Sequence, residues 1–212
     1  MHPNPHFRKE TNGRNLAFVR ERGFGALAIN AADGPLVSHV PFNLLDDDRT
    51  VELHLLRSNP IVQILKQEQD QPAVLAVTGS DSYVSPDWYG VDDQVPTWNY
   101  VAVHLRGRLS LMPSASLHKV LCGISATMEA RLLPKKPWTT DKMTPEIYER
   151  MQRQIVPVSL DVDTVEGTWK LSQNKPAEVR LAAAEMVADH GQGSEIRTMS
   201  GLMNAAENNQ DD

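Results

Sequence analysis

Six consecutive residues, Trp169-Lys170-Leu171-Ser172-Gln173-Asn174, set an indole, an ammonium, a hydroxyl and two amides side by side. They follow a strand-like segment that ends at Gly167. A flat ring can lie on the indole, its heteroatoms can bond to the amides and the hydroxyl, and an anionic edge or phosphate can meet the lysine. This density suits a planar, polar, phosphorylated ligand. Two other segments carry the same chemistry, Tyr83-Val84-Ser85-Pro86-Asp87-Trp88-Tyr89 and Val95-Pro96-Thr97-Trp98-Asn99-Tyr100. One shared site is the expectation for all three.

Other residues admit two readings each. Arg57-Ser58-Asn59 stands where a strand feeds a helix. Free N–H groups at a helix start, the dipole and a guanidinium attract phosphate. A capped helix with a solvated arginine explains the same residues. His39 and His54 fall on the polar faces of adjacent strands, as ligand contacts or as two half-exposed or mutually bonded histidines. Tyr83, Trp88 and Tyr89 either anchor a long loop or form a flap over a flat ring. A dimer seam accounts for Trp98 and Tyr100, but less well for Thr97 and Asn99. Lys170 can be a plain surface lysine, and Asn174 can cap the helix that follows Pro176.

No catalytic group stands out. There is no GxSxG, and no serine has a base and an acid at suitable spacing. The seven histidines show no ligand spacing, so no metal is expected. The single cysteine, Cys122, excludes an internal disulfide and a cysteine-based zinc site, and reads as a small buried residue of an amphipathic helix.

The elements that must position these residues follow from periodicity and punctuation. Residues 14–21 read as a helix. Gly23 to Asn30, Leu36 to Leu45 and Thr50 to Leu56 read as strands joined by the turns Ala32-Asp33-Gly34-Pro35 and Asp46-Asp47-Asp48-Arg49. In the third strand Val51, Leu53 and Leu55 face inward, and Glu52 and His54 outward. A short helix follows Asn59, with Pro60 at its first position and Ile61, Ile64 and Leu65 on its apolar side. Ala73 to Thr78 is apolar throughout, as in a strand covered on both faces. Residues 79–96 read as a long loop.

Trp98 to Leu111 is the longest strand, with Val101, Val103 and Leu105 toward the core and a bulge or bend at Gly107. A helix over 114–133 carries Leu117, Val120, Leu121, Ile124, Met128 and Leu132 on a buried stripe. A helix from Pro145 to Ile155, a strand from Val156 to Gly167, a helix from Ala177 to His190 and a last helix from about Ser194 complete the order. In the helix after Ala177, Val179, Ala182, Ala183, Met186 and Val187 form the apolar stripe. Short turns between successive strands favour antiparallel pairing. The class is α+β, mainly β: a small barrel with helices packed outside. Residues 1–190 form the domain, and 191–212 a C-terminal helix and a frayed acidic tail.

The 212 residues are 41% hydrophobic and 23% charged, ordinary values for a globular protein. With 21 basic against 27 acidic residues the net charge is -6, which disfavours direct DNA binding. No apolar run approaches a membrane span, and Met1-His2-Pro3-Asn4-Pro5-His6 lacks the features of a signal peptide, so the expected location is the cytoplasm.

His39-Val40-Pro41-Phe42, Arg57-Ser58-Asn59-Pro60, Tyr83 to Tyr89, Val95 to Tyr100 and Trp169 to Pro176 resemble, in order, the motifs of the PaiB-type FMN-binding negative transcriptional regulators. The resemblance runs from about residue 1 to residue 190. It implies a split β-barrel of the pyridoxamine-phosphate-oxidase-like kind, forming a homodimer with FMN at the subunit interface. It implies that Arg57, Ser58 and Asn59 hold the phosphate. The strand of His39 and Val40 would offer backbone groups to the ring. Thr97, Trp98 and Asn99 would line the groove, and Lys170, Ser172, Gln173 and Asn174 would reach in at the interface; Tyr83, in the flap, counts with them as a cofactor-binding residue. Two activities fit such a protein, a flavin-dependent oxidoreductase and a flavin-linked transcriptional regulator acting through a partner or a redox state. A ligand sensor without turnover and a haem-binding barrel, with His39, His54, His104 or His190 as axial ligand, are the alternatives.

Overall fold

The computed structural model describes residues 1–207. Six strands, β1 (Phe24–Ile29), β2 (Leu36–Leu44), β3 (Thr50–Leu56), β4 (Asp70–Val84), β5 (Thr97–Leu111) and β6 (Ile155–Lys170), close into a barrel in the order β1-β2-β3-β6-β5-β4. The helices are α1 (Asn12–Arg22), α2 (Pro60–Glu68), α3 (Leu117–Glu129), α4 (Pro145–Gln152), α5 (Ala177–His190) and α6 (Ile196–Ala205). The split-barrel class with peripheral helices is therefore borne out. Residues 208–212, in the expected acidic tail, lie outside the described residues.

Two compact units make up the chain. Among the described residues, one comprises Leu16–Val77 and His104–Val165; the other comprises Met1–Asn15, Thr78–Val103 and residues 166–207.

In the first unit, local turn chemistry fixes the early strands. Asp47 accepts from the backbone N–H of Arg49 and Thr50 at 2.9 and 2.8 Å and from the Thr50 hydroxyl at 2.6 Å. Those bonds, led by the Thr50 hydroxyl, hold its carboxyl at about 2. The turn sets β2 against β3, with Phe42 opposite Leu53 and Leu44 opposite Val51, and all four side chains are buried. Register then decides the rest, because a strand's side chains alternate between its two faces. Val158 and Leu160 of β6 sit opposite Leu53 and Val51 and extend the same core.

Several expectations need correction. Glu52 is not on a solvent face: it is 4% exposed, because α3 packs over β3, and its carboxylate lies 3.7 Å from Lys119 Nζ. Ala73 to Thr78 is not covered on both faces. Burial alternates from Ala73 to Val77 and, one residue out of phase, again from Ser80 to Val84, where β4 ends, so residues 79–84 are strand rather than loop. The α3 region buries Leu117, Val120 and Ile124, whereas Leu121 and Met128 are half-buried and Leu132, past the end of α3, is exposed. Cys122 is half-buried. On α5 the buried side includes Arg180 and Ala184, and Ala182 faces solvent. Finally, β6 does not stop at Gly167 but runs to Lys170. Gly107 lies within β5, where a Cβ would overlap the Asp161 carbonyl; its role is a close backbone approach.

In the second unit, α5 and α6 pack on each other, with Ala183, Val187, Met199 and Met203 fully buried. The outer part of β4 bonds to the segment between these helices: Asp81 N–H donates to Ser194 O at 3.0 Å and Tyr83 N–H to Gln192 O at 2.8 Å.

Candidate functional site

In the first unit, β2 creates an opening. It pairs with β1 along Leu36–Pro41 but with β3 only along Phe42–Leu44. The β3-side edge of Val37, Ser38, His39 and Val40 thus carries no strand among the described pairs, and its backbone groups are left for another partner. His39 is exposed and stacks on Phe24 at 6.3 Å. Val40 turns its side chain into the core and can offer a ligand only its backbone.

Ser38 also anchors the start of α2. Asn59 Nδ2 donates to Ser38 Oγ at 2.9 Å, and Asn59 Oδ1 accepts from Ile61 N–H at 2.9 Å. Val62 N–H donates to Asn59 O, so the first turn of α2 is largely satisfied internally. Arg57 donates from Nε to Arg153 O at 3.0 Å and from Nη2 to Ile155 O at 3.2 Å. The anion-binding capacity here lies in the rest of its guanidinium, in the exposed Ser58 and in the helix dipole. Arg57 lines a cleft of about 450 Å³ with His118, Glu149 and Arg153 among others. His54 is half-buried with Nδ1 unpartnered, and burial lowers its imidazole pKa.

In the second unit the aromatic and cationic residues gather. Tyr83 makes edge contacts with Trp88 and with Trp98, each at 6.3 Å between ring centres. Trp98 remains 49% exposed, an indole face offered to solvent. Lys170, at the end of β6, donates to Thr97 Oγ1 and lies 5.8 Å from the Phe7 ring centre. Burial first, and then the charge of Lys175, hold its ammonium below the usual lysine range. Lys175 lies 4.3 Å from the Tyr89 ring centre and donates to Gln94 Oε1; burial lowers its pKa also. Neither lysine has a carboxylate in ion-pair distance among the described residues. Two half-desolvated cations without an acid partner mark a place for an anion. Lys175 was not among the residues singled out from sequence, although it stands in the same run as Lys170.

The neighbours of Lys170 are committed internally. Ser172, held at φ 61°, shares hydrogen bonds with Tyr89 Oη at 3.0 Å and with Asn99 Nδ2 at 2.9 Å, and all three residues are buried. Gln173 folds back on its own turn, accepting from Leu171 N–H at 2.8 Å and donating to Trp169 O at 2.5 Å. Asn174 is exposed and does not cap α5, whose N-cap position is Pro176. Thus the second unit sets Tyr83 against Trp98 and Lys170 against Thr97, bonds Asn99 to Ser172, and folds Gln173 back on its own turn. The first unit brings together His39, Val40 and Asn59 around Ser38, and turns Arg57 toward the cleft it lines.

Residues 1–164 match the family model described as "Putative FMN-binding domain". The chain belongs to this FMN-binding family. The resemblance read from the motifs is borne out, and membership assigns a flavin as the cofactor. Protease synthase and sporulation protein PAI 2 of Bacillus subtilis is 30% identical over 174 residues, which is 81% of this chain and 82% of that protein. The FAD and haem binding protein from Mycobacterium smegmatis superposes with a TM-score of 0.55 at 13% identity, covering 77% of this chain and 73% of its own. The flavocytochrome Anf3 from Azotobacter vinelandii gives 0.54 at 13% identity, covering 80% and 72%. At these identities the two structures speak for the fold. Among the described residues no helix is long and apolar enough to cross a membrane, and no group of three His, Cys, Asp or Glu side chains could hold a metal.

The residues present suit a flavin. In the first unit an open strand edge can bond ring heteroatoms; in the second an exposed indole can stack on a ring, and ammoniums without a carboxylate among the described residues can meet an anion.

Proposed function

We propose that the chain binds FMN as a homodimer and serves as a flavin-dependent oxidoreductase. The observation that carries the reading is Lys170, a half-buried ammonium that meets the Thr97 hydroxyl and, among the described residues, no carboxylate. In this reading, which follows the motif resemblance, the backbone of His39 and Val40 bonds the ring's heteroatoms, Thr97 and Trp98 line the groove, Tyr83 stacks on the ring, and Lys170 reaches in at the dimer interface. Arg57, Ser58 and Asn59 take the phosphate, as the motif resemblance assigns them. Asn99, Ser172 and Gln173 hold the frame, and Asn174 lies at its rim. A bound flavin supplies the electron or hydride transfer, so the protein needs only to bind, orient and tune it. That division of labour accounts for a site without an acid–base pair.

Regulation of transcription is the second reading, and the family resemblance favours it. With a net charge of -6, regulation would pass through a partner protein or the flavin's redox state rather than through phosphate contacts to DNA.

The absorption spectrum of the freshly purified protein tests the main claim. A flavin spectrum, with FMN released on denaturation, is expected. A colourless protein that does not take up added FMN, or a Soret band in place of the flavin bands, overturns it. Oxidation of a reduced nicotinamide by the FMN-loaded protein supports the oxidoreductase; FMN bound without turnover favours the regulator. Sedimentation tests the dimer.

A further inference from the structure

Between Ile124 and Val156 no residue is buried, although the stretch contains the whole of α4. Polar bonds hold it in place. Trp138 N–H donates to Glu129 Oε2 at 2.7 Å, and Tyr148 Oη lies 2.9 Å from His118 Nδ1. The Arg131 guanidinium donates to the backbone carbonyls of Arg20 and Glu21. The apolar side chains of the stretch contribute little. Leu132, Leu133, Ile147 and Met151 are four of the eleven large apolar residues that the described chain exposes, and Leu133 is 64% exposed. Ordering a segment costs backbone entropy that apolar burial normally offsets. Exposed apolar side chains clustered on an ordered segment mark a surface that a partner covers.

Shape and charge together say what kind of partner. The apolar surface is concave at one place, a cleft of about 340 Å³ walled by Ala126, Ala130, Leu133, Pro137 and Trp138. A cleft takes a protruding side chain, which a protein has and a lipid surface lacks. Cations adjoin these walls. Arg131 follows Ala130 in the chain, Lys136 precedes Pro137, and Lys142 Nζ donates to the Pro137 carbonyl at 3.1 Å. Lys135 is paired with Glu129, but Arg131, Lys136 and Lys142 have no carboxylate in ion-pair distance among the described residues. From Ser125 to Ile155 six basic residues stand against four acidic ones, in a chain whose net charge is -6. The segment is the cationic part of an acidic protein.

We infer that this surface docks a partner protein through a short acidic segment carrying one bulky apolar side chain. That side chain enters the cleft against Trp138 and Leu133. Carboxylates on either side of it meet Arg131, Lys136 and Lys142, which have no acid of their own. The rest of the chain carries the acidic excess and repels such a partner, so charge steers it to this surface. The surface uses none of the residues assigned to the flavin, and it gives regulation through a partner protein a place to act.

The test selects from a displayed library of random short peptides on the full-length protein. Peptides with several Asp or Glu around a Phe, Leu or Trp are expected. A labelled peptide of this set binds with an affinity that falls as salt is raised. Trp138→Ala weakens it at least about tenfold, and so does the pair Lys136→Glu with Lys142→Glu. Both lysines are exposed, so the charge-reversed protein keeps its fold even if Trp138→Ala does not. FMN uptake stays parental in the charge-reversed protein, which separates a failure of this surface from a failure of the flavin reading. The inference is overturned if the selected peptides are neutral or basic, or if the charge-reversed protein binds them like the parent. It is also overturned if the parent selects no acidic peptide but sediments with phosphatidylserine vesicles. The same holds if the charge-reversed protein is a monomer where the parent is a dimer, which would make this surface a seam between two copies.

Discussion

The indole Nε1 of Trp169 donates to Asn15 Oδ1 at 2.8 Å, with both residues buried and the Arg14 guanidinium 4.3 Å from the centre of the same ring. A Cβ at Gly167 would overlap the Asn15 amide, so the position before Thr168 must be glycine for this contact to form. Trp169 is therefore a core anchor for the end of β6, and Lys170 is the residue it presents.

From that contact, Asn15→Ala is expected to destabilise the protein by about 1–3 kcal/mol, because it takes the acceptor from a buried indole N–H. Urea denaturation followed by Trp fluorescence measures the change. A midpoint equal to the parent's would show that the bond contributes nothing.

Gly107→Ala is expected to be more damaging. Its methyl would run into the Asp161 carbonyl, which belongs to the backbone of β6 and cannot rotate away as a side chain can. A loss of more than about 3 kcal/mol, read as insoluble expression or a large fall in Tm, follows from the steric overlap. A variant with parental Tm would mean that the two strands separate there at little cost.

Where structure follows from local chemistry, the sequence was a sufficient guide. Asp47 makes its own turn with residues two and three positions on, and Asn59 caps the helix that begins at the next residue. Both features are visible in a short window. The extent of β4 is not, because Gly79-Ser80-Asp81-Ser82 has the composition of a loop. It is strand because its backbone finds acceptors at Gln192 and Ser194, more than a hundred residues away. Trp169 is similar: its residue type marks the run as important, but its acceptor is 154 residues distant. Lys175 escaped notice because nothing in its neighbours signals that, among the described residues, no carboxylate reaches it.

Arg57 separates the phosphate assignment from scaffold effects. Arg57→Ala is expected to weaken FMN by about 10- to 100-fold, the worth of a charge-assisted hydrogen bond, with part of the change restored by Arg57→Lys. Its bonds to Arg153 and Ile155 carbonyls make a smaller loss of stability an accompanying result. Val103→Ala, a cavity at a fully buried site, should instead cost about 1–3 kcal/mol in stability and leave FMN affinity near the parent's. Fluorescence titration of FMN against all three variants decides the matter; parental affinity in Arg57→Ala removes the residue from the phosphate.

Lys170 makes a pH-dependent prediction whose sign can be worked out. Its pKa in the folded, ligand-free protein is below the usual lysine value, through burial and the charge of Lys175. The ammonium is thus a stability cost below that folded pKa, and the cost is relieved as pH rises through it toward the unfolded value. An anionic group bound against Lys170 reverses the balance by favouring the charged form. Binding then takes up a proton above the ligand-free pKa, so affinity for FMN should fall as pH climbs through that range. Lys170→Met should weaken FMN by about 10- to 100-fold near neutral pH. It should also reduce the slope of log affinity against pH by up to about one, with Lys175 supplying what remains. A parental slope in Lys170→Met would place the titrating group elsewhere, and parental affinity in the same variant would remove Lys170 from the flavin.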